Sequence, residues 1–206
     1  MNPDLTFLDV DTQVDFMDPE GKLYVSGAEQ LTPNLQRLTQ FACKQAIPIL
    51  ASVDAHPEND PEFEQFPPHC VKGSEGQKKI PETLGRHPLF LENAEVNLSI
   101  PLRPQAGLLR YDQIVLEKQA FSLFDNVNAG KILERLGTSE YVVYGVATDY
   151  CVKAAVLGLL ERGSRVRVVE DAIAAVDKKT GREALQAMKR AGARFVTTAE
   201  VIKGEA

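Results

Sequence analysis

The sequence predicts an α/β protein in which three layers are built around a central, mostly parallel six-stranded sheet. Short apolar segments alternate with longer amphipathic ones, and strands joined through helices imply crossover connections and a parallel sheet. Residues 141–146 are apolar on both faces, which is typical of a strand covered by helices on each side. No repeat or low-complexity segment interrupts the 206 residues, so a single domain over residues 1–206 is expected.

The elements follow in chain order. Short segments rich in apolar and β-branched residues predict six strands, at 5–10, 47–53, 112–116, 141–146, 165–169 and 194–196. Longer segments with apolar residues at helical spacing predict four helices, at 31–42, 128–136, 151–162 and 181–191. Residues 54–110 show little periodicity and are rich in Pro, Gly, Glu and His. A loop region of this length inside a compact domain is usually functional, so we expect it to serve a metal or a substrate.

Composition and charge exclude several classes of protein. The formal net charge is −6 and the pI about 5.2, which argues against binding of nucleic acid, and the Lys78-Lys79 pair is expected to be solvated. No apolar stretch reaches the ~20 residues that cross a bilayer, and the first residues do not resemble a signal peptide. The odd count of three cysteines then indicates reduced thiols in a cytoplasmic protein.

Polar side chains follow four of the predicted strands. Asp11 follows the first strand, Asp54 the second, Lys118 the third and Cys151 the fourth. Because ligands in open α/β sheets lie beyond the carboxyl ends of the strands, we expect these side chains to converge at one edge. When each residue is considered by itself, Asp11 is more simply interpreted as a carboxylate in a turn and Lys118 as a solvated lysine.

Cys151 is a candidate nucleophile. It lies where a strand gives way to a helix, with Thr148 or Asp149 as the expected N-cap, and the helix dipole lowers the pKa of a thiol in a first turn. Asp11 could accept its proton while Lys118 orients the carboxylate and stabilises the thiolate. The alternative is a buried structural cysteine, which is the interpretation we favour for Cys43.

A second group of residues suits a divalent metal. Asp54-x-His56 is followed by His69, and one carboxylate with two imidazoles fits zinc, iron or manganese. Glu62 and Glu64 lie between the histidines and could supply a further oxygen ligand. The alternative is a polar loop whose histidines are only hydrogen-bonded.

Four segments resemble the nicotinamidase branch of the isochorismatase-like cysteine hydrolases. The resemblance covers the chain from about residue 5 to residue 200 and is most specific in the last of these segments. The segments are Asp-Thr-Gln-Val-Asp-Phe at 11–16, Asp-Ala-His-Pro at 54–57, Phe-Pro-Pro-His-Cys-Val-Lys-Gly at 66–73 and Gly-Val-Ala-Thr-Asp-Tyr-Cys-Val at 145–152.

The resemblance implies roles for individual residues. It implies a catalytic triad of Asp11, Lys118 and Cys151, in agreement with the interpretation of the strand ends. It also implies a cis peptide between Val146 and Ala147, and an oxyanion hole formed by the backbone N–H groups of Ala147 and Cys151. The remaining implied residues are the metal ligands Asp54, His56, His69 and Glu62, with Glu64 as an alternative to the last, and the substrate contacts Phe16, Phe66 and Tyr150.

The function that the resemblance implies is hydrolysis of nicotinamide to nicotinate and ammonia through a thioester, with one divalent metal ion, zinc in the first place. It also implies a small-molecule amide as partner, with a homo-oligomer as an open alternative and no role for nucleic acid or membrane. The segment after Lys118, Gln119-Ala120-Phe121-Ser122, departs from many nicotinamidases and favours the wider superfamily. Hydrolysis of another small amide or ureido compound, a non-catalytic metabolite-binding protein and a structural metal-binding module therefore stay open.

Overall fold

The computed structural model describes residues 4–97 and 111–204, so the last part of the predicted loop region, 98–110, lies outside the described residues. Within them, one parallel sheet has the strand order β3-β4-β2-β1-β5-β6-β7. Its strands are β1 (Leu5–Val10), β2 (Ile49–Asp54), β3 (Pro88–Leu91), β4 (Gln113–Lys118), β5 (Glu140–Val146), β6 (Arg165–Ala174) and β7 (Arg194–Val196).

Helices cover both faces of the sheet. They are α1 (Val14–Met17), α2 (Thr32–Gln45), α3 (Ala129–Leu136), α4 (Lys153–Glu161), α5 (Lys178–Arg190) and α6 (Thr198–Lys203). Phe7 of β1 faces the core shared with α1, α2 and α6, whereas the next residue, Leu8, faces the core shared with α3, α4 and α5. Alternate strand residues point to opposite faces, so the central strands are buried on both faces and are mostly apolar. The predicted three-layer α/β class is confirmed.

The predicted strand count of six is wrong by one. The additional strand, β3, lies inside the region predicted as loop, and it pairs with β4 from Pro88 opposite Gln113 to Leu91 opposite Leu116. Its four residues begin with a proline, which is tolerated at an edge strand because no backbone N–H is needed there. A segment this short carries too little alternation to be detected, and only its pairing with β4 defines it.

The expectation that Lys79 is solvated is also wrong. Its side chain is 1% exposed, and Nζ lies 2.7 Å from Asp9 Oδ2 and donates to Thr12 Oγ1 at 2.7 Å. This ion pair fixes the segment before Ile80 beneath the end of β1, where Ile80 N–H donates to Thr12 O. A charged residue is almost never fully buried unless it is paired, and here Asp9 is the partner.

The chain reverses its direction of winding between β1 and β5, which are neighbours in the middle of the sheet. From β1 it proceeds to β2 on one side, and from β5 it proceeds to β6 and β7 on the other. Crevices for ligands form at such switch points, beyond the carboxyl ends of the strands. Among the described residues, none of the helices combines the length and apolar character needed to span a membrane.

Candidate active site

Four polar side chains meet at the switch point, each from the end of a different strand. Asp11 follows β1, Asp54 ends β2, Lys118 ends β4 and Cys151 lies in the turn after β5. Asp11 and Lys118 are 0% exposed and Cys151 is 7% exposed. Parallel pairing places Asp54 directly opposite Lys118, so the sheet register itself brings these two residues together.

Lys118 stands at the centre of the group. Its Nζ lies 2.8 Å from Asp11 Oδ2, donates to Asp54 Oδ1 and donates to Cys151 Sγ at 3.5 Å. Carboxylate oxygens of Asp11 and Asp54 and the Cys151 sulfur lie within 4.8 Å of one another. The structure therefore brings the predicted acid, amine and thiol into contact range, while their catalytic role stays a prediction.

The electrostatics of the group follow from its burial. Burial raises the pKa of the Asp11 carboxyl above its usual range, although Lys118 opposes this shift. Burial also raises the pKa of the Cys151 thiol, with Lys118 opposing and the two carboxylates adding to the shift. Burial alone would lower the pKa of Lys118, but Asp11 and Asp54 hold that pKa well above its usual value. Lys118 is thus a fixed cation, and Asp11 and Cys151 retain protons more readily than exposed groups would.

The turn that carries Cys151 has an unusual backbone. The peptide between Val146 and Ala147 is cis, as the resemblance implied, and residues Thr148–Val152 form a π-helical turn before α4 begins. The backbone N–H groups of Tyr150 and Val152 both donate to Ala147 O at 3.1 Å. The predicted oxyanion donors, the N–H groups of Ala147 and Cys151, belong to this same turn.

The predicted N-cap at this turn is wrong, because the structure has no side-chain cap there. Asp149 turns instead toward the loop before α5. Its carboxylate accepts hydrogen bonds from Val176 N–H at 3.0 Å and from the Thr180 hydroxyl at 2.6 Å. Asp149 therefore links the Cys151 turn to Val176, which lines the pocket in front of the thiol.

The candidate metal ligands also converge. Ligand atoms of Asp54, His56 and His69 lie within 4.8 Å of one another, and the two imidazole centroids are 4.8 Å apart. His56 Nδ1 lies 3.0 Å from Asp60 Oδ2, and His69 Nδ1 lies 2.9 Å from Pro67 O. Bonds of this kind fix the ring orientation of metal-ligating histidines and leave Nε2 for the metal. Sequence reasoning missed Asp60, whose position four residues after His56 was the available signal.

The chemistry of the donor set fits a divalent cation. His56 Nε2 is buried and has no hydrogen-bond partner among the described residues, since Asp54 Oδ2 is 3.8 Å away. Burial by itself lowers the pKa of His56. The neighbouring carboxylates of Asp54 and Asp60 have the larger effect and raise this pKa to about 9. A buried polar atom without a partner is costly, and a metal cation that displaced the proton from Nε2 would satisfy it in the same anionic surroundings.

Glu62 and Glu64 differ in their distance from this cluster. Glu62 is half-buried, and its Oε1 lies 3.8 Å from His69 Nε2, whereas Glu64 is exposed. The structure therefore favours Glu62 as the fourth candidate ligand, as the resemblance did. The single helical turn Pro61–Glu64 explains the difference, because residues two apart on a 3₁₀ turn point in different directions.

A pocket opens onto Cys151, Asp11 and three of the candidate metal ligands, Asp54, Glu62 and His69. Phe16, Phe66 and Tyr150, the predicted substrate contacts, all line it. Phe121 was missed, although it packs against Tyr150 with ring centroids 5.2 Å apart and against Phe66 at 6.4 Å. The remaining apolar lining residues are Leu23, Val25, Val146, Ala147 and Val176.

Ser52 is a further residue of the site that sequence reasoning missed. Its hydroxyl donates to Asp11 Oδ1 at 2.7 Å, which leaves Oδ2 for Lys118. Ser52 lies two positions before Asp54 on β2 and so shares its face of the sheet. A polar residue at that position in an otherwise apolar strand was the signal that could have identified it.

Comparison with known proteins agrees with this geometry. The profile of the isochorismatase domain matches residues 6–89 and 98–200. The chain is 28% identical to a nicotinamidase of Escherichia coli strain K12, over 96% of this chain and 97% of that protein. It is 24% identical to a probable inactive nicotinamidase of Arabidopsis thaliana, over 93% and 91% of the two chains. Among solved structures, a zinc-complexed pyrazinamidase of Pyrococcus horikoshii superimposes with a TM-score of 0.76 at 27% identity, covering 95% and 99%.

Proposed function

The chain belongs to the isochorismatase family, and we propose that it is a cysteine-dependent amidohydrolase that converts nicotinamide and water to nicotinate and ammonia. One observation carries this proposal: Asp11, Lys118 and Cys151 meet at the floor of a pocket walled by aromatic rings. A thiol with a neighbouring carboxylate and a fixed cation has the parts needed for nucleophilic catalysis.

In the proposed reaction, Asp11 accepts the proton of Cys151 and the sulfur attacks the carboxamide carbon. The backbone N–H groups of Ala147 and Cys151 donate to the oxyanion, and one such donor typically contributes about 10²–10³ in rate. Asp11 then gives its proton to the leaving nitrogen, so that ammonia departs and a thioester remains. Asp11 next takes a proton from water, the resulting hydroxide cleaves the thioester, and that proton returns to the sulfur.

Lys118 stays protonated throughout these steps. It holds the Asp11 carboxylate and the sulfur at 2.8 and 3.5 Å, and it offsets the negative charge that passes between them. Asp54, His56, His69 and Glu62 would hold the metal, zinc in our proposal. A metal bound there would supply a positive centre for the ring nitrogen of the substrate, directly or through water.

The charge of the pocket favours a neutral substrate. Carboxylates of Asp11, Asp54 and Glu62 line it, and neither lysine nor arginine is among the described residues on its wall. Apart from the proposed metal, an anionic ureido acid would meet no cationic side chain on this wall, whereas a flat neutral amide would pack against Phe16 and Phe66. Hydrolysis of another small amide remains the second candidate, because the Gln119–Ser122 segment departs from many nicotinamidases.

A panel of substrates tests the proposal. Ammonia release is measured from nicotinamide, pyrazinamide, N-carbamoylsarcosine and a ureido acid, with and without a chelator, for the wild type and for Cys151→Ala. We expect the highest kcat/KM with the two aromatic amides, and turnover by the variant that is lower by about 10⁴-fold. Preference for the anionic substrates would refute the proposal that nicotinamide is the substrate. Absence of turnover on every amide would refute the proposal that the protein is an enzyme and would favour a metabolite-binding protein.

A further inference from the structure

The segment that carries Asp54 and His56 begins at the end of β2. The pairing of β2 with β1 stops at Ser52, so β1 provides no main-chain hydrogen bonds to the residues that follow. On the β1 side, Asp11 adopts a left-handed backbone with φ 49°, and the chain turns away into α1. A segment that must hold two candidate ligands therefore needs another source of hydrogen bonds. The side chain of Gln13 supplies it.

The Gln13 amide takes the place of a neighbouring strand. Its Nε2 donates to Asp54 O at 2.8 Å, and its Oε1 accepts from Asp54 N–H at 2.6 Å. Nε2 also donates to Gln77 O at 2.7 Å, so all the polar atoms of this fully buried side chain have partners. Both main-chain groups of Asp54 are thereby fixed by a single side chain.

A second glutamine acts on the opposite edge of the segment. Gln119 Nε2 donates to Ala55 O at 3.1 Å, while Ala55 N–H donates to Lys118 O at 2.9 Å. Gln119 Oε1 in turn accepts from Asn93 Nδ2 at 2.9 Å. The backbone of Ala55 is thus held next to Lys118.

Asp54 needs this support because its two carboxylate oxygens face different groups. Oδ1 accepts from Lys118 Nζ, while Oδ2 lies 3.8 Å from His56 Nε2 in the candidate metal cluster. A rotation of the Asp54 backbone would withdraw one oxygen from its group. The position of the main chain therefore decides whether one carboxylate can serve both the triad and the metal ligands.

We propose that Gln13 is a positioning residue that fixes Asp54 between Lys118 and the metal ligands, with Gln119 as a weaker support on the other edge. This inference rests on the metal site proposed above. It assigns a role to two side chains that touch neither the substrate nor the reacting atoms. Groups that orient ligands in this way typically contribute 10- to 100-fold to metal affinity.

The test is the zinc affinity of chelator-treated protein, measured by competition with a chromophoric chelator. Gln13→Glu has nearly the same shape, but it loses the amide donor and sets a carboxylate against two carbonyl oxygens. We expect its zinc dissociation constant to rise by about 10- to 100-fold. Gln119→Ala removes two hydrogen bonds from a half-buried side chain, but only the one to Ala55 O holds the segment that carries the candidate ligands. For this variant we expect a rise of about fivefold.

Gln113→Glu is the matched control. Gln113 is also fully buried, its Nε2 donates to Thr83 O and its Oε1 accepts from Gly85 N–H, both at 2.9 Å, but it lies at the opposite end of β4. We expect this variant to lower the melting temperature and to bind zinc as the wild type does.

Each outcome decides the matter. Weaker zinc binding by Gln13→Glu and Gln119→Ala, with wild-type affinity in Gln113→Glu, supports the positioning role. If Gln13→Glu does not fold, Gln119→Ala decides alone. Wild-type affinity in the site variants, or an equal loss in Gln113→Glu, would refute the positioning role while the metal site stands. A wild-type protein that binds no zinc would overturn the proposed metal site and this inference with it.

Discussion

Replacing Lys118 by methionine removes the only cation that contacts both Asp11 and Asp54 among the described residues. The three side chains are at most 6% exposed, so water cannot compensate for the loss. Breaking a buried ion pair by removing one partner typically costs 3–5 kcal/mol, because an uncompensated charge stays behind. For a chain of this length, each kcal/mol corresponds to about 2–4 °C, which predicts a fall in Tm of about 6–20 °C.

The assay is thermal and urea unfolding followed by circular dichroism at pH 7.5, in the presence of a chelator so that no metal compensates Asp54. Lys72→Met is the matched control. Lys72 also contacts two carboxylates, Glu92 and Glu117, each at 3.0 Å, but its side chain is 47% exposed. Such a surface pair contributes about 0–1 kcal/mol, so we expect little change in this variant.

The pH dependence of the Lys118→Met deficit gives a second readout. Burial already raises the pKa of Asp11, and loss of Lys118 removes the group that opposes this shift. A carboxyl whose pKa is higher in the folded state binds more protons there than in the unfolded state, so stability falls as the pH rises. We therefore expect the deficit to be smaller at pH 5 than at pH 8. A deficit below about 1 kcal/mol at pH 7.5, equal to that of Lys72→Met, would refute the reasoning about burial.

Further predictions concern the thiol, the fourth ligand and the pocket. Cys151→Ala is expected to lower ammonia release from nicotinamide by about 10⁴-fold, whereas the control Cys43→Ala is expected to leave it unchanged. Comparable rates in the two variants would contradict the thioester route. Burial raises the pKa of Cys151, so we expect its alkylation by iodoacetamide to be slow at pH 7 and to accelerate as the pH rises, as mass spectrometry can show. A rate of alkylation that does not depend on pH would refute the raised pKa. Glu62→Gln is expected to weaken zinc binding by about tenfold or more and Glu64→Gln to have no effect, as competition with a chelator can show; equal effects would contradict the geometry. Phe66→Ala is expected to raise KM for nicotinamide by about two- to tenfold with a smaller change in kcat, and an unchanged KM would remove Phe66 from the substrate wall.

Local sequence pattern was sufficient for the class of the fold. The strand at 141–146 was located from its apolar character, because burial on both faces leaves a continuous apolar run. The strand at 5–10 is also buried along its whole length, with Thr6 and Asp9 among its apolar residues. The strand missed, β3, is four residues long and exists through its pairing with β4. Short segments of this kind have no periodicity of their own to detect.

The approximate location of the site could also be predicted. The rule that ligands lie beyond the carboxyl ends of parallel strands directed attention to Asp11, Lys118 and Cys151, and the structure brings their side chains together. Their proposed roles, and the assignment of Phe16 and Tyr150 to the substrate, stay predictions. The supporting residues Ser52 and Gln13 were not predicted, because a hydrogen bond to a neighbouring strand depends on register rather than on local spacing.

The sequence by itself determined the alternation of strands and helices, the apolar residues of the central strands, and the polar residues that lie at the carboxyl ends of β1, β2, β4 and β5. These features depend on the character of neighbouring residues, which the chain specifies locally. Only the tertiary structure decided that Lys79 is buried against Asp9, that Glu62 rather than Glu64 lies beside His69, and that the Gln13 amide replaces a strand. Those outcomes depend on which residues from distant parts of the chain come into contact, and packing and register fix such contacts only when the whole sheet has formed.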